Sequence, residues 1–212
     1  MNKKILPILV ILALAALTWL GFVGGQYFYE KSLFAKGNIP DTPEAQQIMD
    51  TIKKAYDIET EGAYTFDFSK FPTVFINDPR FPVDPGTLQV IREMTNNPSL
   101  DTAGWLDYKM AYHSWARDSI LYTEAVFAKA KAENRELTPE ERASLTDSYG
   151  RSAPARISRP TRNNPVIFKS MKINKDVAYV IVDDGPYLAE LALVLVNGNW
   201  YIAGFKGIAI LV

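Results

Sequence analysis

With 212 residues, a formal net charge of −1, 48% hydrophobic and 22% charged residues, the chain has the composition of a folded protein. This excludes a disordered segment and the broad positive field on which nucleic-acid binding relies. The absence of cysteine excludes a disulfide framework, thiolate metal ligands, a thiol nucleophile and lipid attachment at an N-terminal cysteine.

Lys3 and Lys4 precede the 19 residues from Ile5 to Val23, which carry no charge. A helix rising 1.5 Å per residue over that run spans a hydrocarbon core of about 30 Å. The sequence therefore predicts a membrane anchor over residues 1–29, contacting lipid through residues 5–23. The two lysines keep the N-terminus cytoplasmic and place the remainder outside the membrane of a bacterial-type envelope. Trp19, Phe22, Tyr27, Phe28 and Tyr29 gather at the exit end, where amphipathic rings favour the interface. A cleaved signal peptide is the competing reading, but its apolar region is shorter, about 7–15 residues. Export is common to both.

Residues 30–41 read as a stalk and residues 42–212 as one extracytoplasmic domain. Thr42 and Pro43 supply an N-cap and a first-turn proline, and apolar residues from Ala45 to Tyr56 recur at helical spacing, predicting a helix that ends before Gly62. Tyr64, Phe66 and Phe68 alternate with Ala63, Thr65 and Asp67, predicting a strand. Four X-Pro pairs between Phe71 and Pro85 break regular structure. A short helix over 86–95, a loop over 96–104 and a long helix from Trp105 to about Asn134 follow. Thr138-Pro139-Glu140-Glu141 is a capping box opening a short helix to about Tyr149. Arg151, Arg156, Arg159 and Arg162 form an extended basic connection suited to anionic headgroups, to an acidic partner, or simply to water.

Four strand-like runs close the chain: Val166–Ile173, Val177–Val182, Tyr187–Val196 and Asn199 to about Leu211. Asn197-Gly198 suits a type I′ turn, which needs positive φ at both residues. Helices followed by an antiparallel meander make the fold class α+β. Both faces of the third run are apolar, so one is expected to be covered, either by a homodimer through the C-terminal sheet or by the segment Phe71–Pro85.

The ending Leu193-Val194-Leu195-Val196-Asn197-Gly198-Asn199-Trp200-Tyr201-Ile202-Ala203-Gly204, with the element order before it, resembles the nuclear transport factor 2-like superfamily. That resemblance implies a cone-like domain of helices packed on a curved sheet. The superfamily includes isomerases, dehydratases, polyketide cyclases, binding modules and conjugation assembly subunits, so function rests on the site.

His113, the only histidine, is the candidate general base, with Asp67 and Tyr112 as partners and Asp107 and Tyr108 also in range. It adjoins the long helix's apolar stripe, which favours a packing or surface role. Tyr64, Phe66, Tyr108, Tyr112, Trp115 and Trp200 are candidates for a ligand pocket, although core packing explains the same residues. Asp183-Asp184 reads as turn chemistry, and Gly204 and Gly207 as relief of strand curvature. No metal or cofactor motif is present. The preferred reading is an extracytoplasmic binding or assembly module without catalytic activity, working with an envelope protein partner. The alternatives are a cone-fold enzyme using His113 and a subunit of a secretion or conjugation channel.

Overall fold

The computed structural model describes residues 38–102, 104–145, 166–185 and 187–210. The expected anchor, most of the stalk and the four-arginine connection lie outside them. Among the described residues no helix is long and apolar enough to cross a membrane.

Helix α1 runs Pro43–Thr65, opened by the Ala45 amide donating to Thr42 Oγ1 at 3.1 Å. Its buried stripe, Ala45, Ile48, Ile52, Ala55 and Ile58, follows the spacing that places side chains on one helical face. The strand expected over Tyr64–Phe68 does not form. The helix continues through Gly62 to Thr65 and stops at Phe66, whose φ of 62° is left-handed and whose amide donates to the Gly62 carbonyl at 2.8 Å. Gly62 is a seat rather than a stop. A Cβ there would lie 3.0 Å from the rings of both Phe68 and Phe71, which fold back onto the helix.

A 3₁₀ turn, Phe71–Thr73, leads into an extended stretch beside the last strand, then to α2, Pro85–Met94, capped by Asp84. Helix α3, Trp105–Ala132, begins at Gly104, which has no side chain to cap it. Asn77 does that work from 30 residues away, accepting from the Asp107 amide at 3.1 Å and donating to the Asp107 carboxylate at 2.8 Å. Gly104 is required for this approach, because a Cβ would come within 2.9 Å of the Asn77 backbone. The short α4, Pro139–Ser144, has the expected reciprocal bonds between Thr138 and Glu141.

Strands β1 Ile167–Asn174, β2 Val177–Asp183, β3 Tyr187–Val196 and β4 Asn199–Ile210 form an antiparallel sheet in sequence order. Asn197 and Gly198 take φ of 50° and 81°, the positive values a type I′ turn needs. The α+β class is therefore observed. One sheet face, with Val180, Val182, Leu191, Leu193 and Ile202, packs on α1, the 3₁₀ turn and the first half of α3. On the opposite face Leu188, Ala192 and Val194 are buried within the single chain, while Tyr179 is exposed. Part of their surroundings is Phe81, whose ring meets Tyr179 edge-on at 6.1 Å and whose Cβ lies 3.3 Å from where a Gly204 Cβ would stand.

Candidate functional site

Helices α1 and α3 cross over the sheet with a small chamber of about 180 Å³ between them, walled by Ala55, Phe75, Trp105, Leu191, Ile202 and Phe205. Polar groups enter this apolar space at two places. Tyr56 donates its hydroxyl to Asp184 at 3.2 Å, while Glu59 and Lys109 meet on the helix side.

Lys109 and His113 are four residues apart on α3, so both face α1. A single oxygen of Glu59 receives Lys109 Nζ at 2.5 Å and His113 Nε2 at 2.9 Å. Burial would raise the Glu59 carboxyl, but the Lys109 charge and the bond to His113 together outweigh it and hold the group at about 2. Lys109 is further held over the rings of Trp105 and Phe75, at 5.4 and 5.6 Å.

The His113 imidazole is buried against three rings, Phe71 at 5.0 Å, Tyr112 at 5.3 Å and Phe68 at 5.5 Å. The expected pairing with Asp67 is not made. Asp67 is exposed and accepts from the Ser69 amide at 2.9 Å, a backbone bond that also lowers its carboxyl. The strand expected to carry Asp67 gives way to α1, which extends to Thr65 and leaves Asp67 in the irregular stretch beyond it. Glu59, three residues before Gly62, takes the partner's place. An acid on a helix face is ordinarily solvated, so only the position of α3 reveals it.

The pocket candidates separate into two groups. Trp200 is buried in the core, Phe66 packs against it, and Tyr64 is exposed on the last turn of α1. Tyr108, Tyr112 and Trp115 instead belong to a ladder of rings along α3. Trp105 stacks on Tyr108 at 4.9 Å, Tyr108 on Tyr112 at 6.4 Å, and Tyr112 tilts toward Trp115 at 6.0 Å. Phe205 of β4 extends it from the sheet, lying 5° from parallel to Trp105 at 5.6 Å. Burial of Tyr108 raises its phenol pKa, so the ring remains neutral.

The Trp105 and Phe205 pair also walls an outer groove of about 570 Å³, within the size range of small-ligand clefts. One bank is β4 from Gly204 to Gly207; the other is Phe81–Asp84, with Tyr108 at the base. A third cleft of about 540 Å³ lies between α3 and the segment that follows α2, with Trp115 and Tyr122 beside Asn97, Ser114 and Asp118. The sequence reading missed Trp105, Phe205, Glu59 and Lys109. Aromatics at positions 105, 108, 112 and 115 were a signal for the ladder, since three- and four-residue steps keep rings on one face. Among the described residues no three His, Asp or Glu side chains come together to hold a metal ion.

No family model, curated protein or solved structure matches the chain.

Proposed function

We propose that the chain is a binding or assembly module without catalytic activity, held by residues 5–23 to the outer face of a membrane and presenting a cone-like domain of the nuclear transport factor 2-like kind. The uninterrupted apolar run behind two lysines supports the tether. Helices packed on one face of a four-stranded meander around a small chamber support the cone.

The observation that carries the non-catalytic reading is the state of the only histidine. A general base must reach the proton it removes. His113 directs Nε2 at Glu59, is enclosed by three rings and does not line the chamber. Its carboxylate partner is already occupied by Lys109. Such a cluster links two helices and commits the histidine to their packing.

Two measurements test this. Membrane fractionation followed by external protease should find the domain membrane-bound and digestible from outside; a soluble mature form beginning after the apolar run overturns the tether. His113→Gln and Glu59→Gln should lower unfolding stability while partner binding persists in the folded fraction. A turnover activity abolished in a folded His113→Gln protein would instead assign the Glu59–His113 pair to catalysis.

A further inference from the structure

Strand β4 is an edge of the sheet, and the chain itself begins to cover that edge and then stops. Val74–Ile76 lies parallel to β4, with the Ile76 amide donating to the Ile202 carbonyl at 3.1 Å and the Ile202 amide donating to the Val74 carbonyl at 2.8 Å. A strand added there would continue past Gly204. It does not, because Pro79, Pro82 and Pro85 follow within nine residues of Ile76. Proline has no amide hydrogen to give a ladder and is excluded from sustained pairing. Asn77 is committed to the start of α3, and Arg80 turns aside to Asp78 and Asp176 at 2.8 and 2.7 Å.

The chain therefore leaves the β4 ladder, although Phe81 stays beside Gly204, and the groove of about 570 Å³ lies along the two. Among the described residues no segment pairs with the β4 edge beyond Ile202. Every second residue of an edge strand turns its N–H and C=O outward, a template for another strand.

We propose that this groove is a docking site for one extended apolar segment of a partner polypeptide, added as a strand along Gly204–Gly207 in continuation of the pairing begun by Val74–Ile76. Three observations select that occupant. The existing pairing shows that this edge accepts an extended chain through backbone bonds. Phe81–Asp84 lines the groove together with β4, so the sheet of a second copy could not approach that edge without displacing it. Phe81, Val83, Trp105, Tyr108 and Phe205 give the groove apolar walls; its two charges are of opposite sign, Lys206 lying across from Glu190 in the ladder and Asp84 capping α2, so no net charge calls for a charged ligand. At about 3.3 Å per residue the bank from Gly204 to Gly207 matches about four residues of extended peptide, whose alternate side chains would enter the aromatic wall.

The test uses the full-length chain in detergent and a displayed library of random short peptides as probe. Enriched peptides should be apolar at alternate positions and should slow hydrogen exchange of the amides in residues 204–208. Phe205→Ala, which removes a wall ring that is 42% exposed, and Gly207→Leu, whose new Cβ would meet nothing closer than Phe205 at 3.9 Å, should each weaken binding at least about tenfold without unfolding the domain. Leu121→Ala, on the exposed side of α3, should leave it unchanged. Three results overturn the proposal: no peptide enriched, enriched peptides that bind both variants normally without protecting the β4 amides, or protection of those amides by self-association of the chain.

Discussion

The chamber and the groove are two sides of the same stacked pair, Trp105 and Phe205, yet their polar groups are arranged in opposite ways. On the chamber side Glu59 meets Lys109 and His113, and Tyr56 meets Asp184. On the groove side an edge strand lies beside an aromatic wall. A buried polar group that already has its partners contributes to one unique packing, whereas an unpaired strand edge contributes only when something arrives. Stability and recognition are thus divided by one layer of rings.

Removing that layer should have the largest effect. Trp105→Ala empties a buried position in the main core and is expected to cost about 3–4 kcal/mol in chemical denaturation, while also abolishing peptide binding in the groove. A loss below about 1 kcal/mol would show that the ring does not support the chamber. Next is Glu59→Ala, which leaves Lys109 and His113 facing each other across a largely buried space. It should cost about 2–3 kcal/mol and spare the groove, so equal damage to binding would break the division.

Acid should reproduce part of that loss. The Glu59 carboxyl is lowered in the fold to about 2 from an ordinary value of 4.5, so its stabilisation is fully present above about pH 4.5 and is lost as pH falls toward 2. The wild-type protein should therefore lose more stability than Glu59→Gln between those limits, as followed by denaturant midpoints. Parallel curves would mean that the carboxylate is not held by its neighbours. Asn77→Ala removes the distant cap of α3 and is expected to cost about 1 kcal/mol, with faster amide exchange confined to the first turn of that helix. The smallest stability effect belongs to Phe205→Ala, below about 1 kcal/mol because the ring is partly exposed, although groove binding falls.

What was legible in the sequence was local. The capping box at Thr138, the cap at Thr42, the long helix from Trp105 and the Asn197-Gly198 turn all depend on residues within a few positions of one another, and each formed. The strand over Tyr64–Phe68 failed because three alternating aromatics can equally be rings folding back onto a helix, and Gly62 serves that packing. The site was less legible because its contacts are long-range. Glu59 and His113 are 54 residues apart, and Asn77 caps a helix whose own N-cap position is glycine. The prolines after Ile76 announced that pairing stops, but only the fold shows that it stops beside β4, leaving a groove.

The division between a chamber whose polar groups are paired and a groove bounded by a strand edge is tested most directly by a double-mutant cycle on Glu59→Gln and His113→Gln, read as unfolding free energy in the full-length chain. A coupling of about 1–3 kcal/mol, with groove binding unchanged in all three variants, is the expected result. Coupling near zero, with His113→Gln folded as stably as the wild type, would contradict it and return the histidine to the list of groups kept for chemistry.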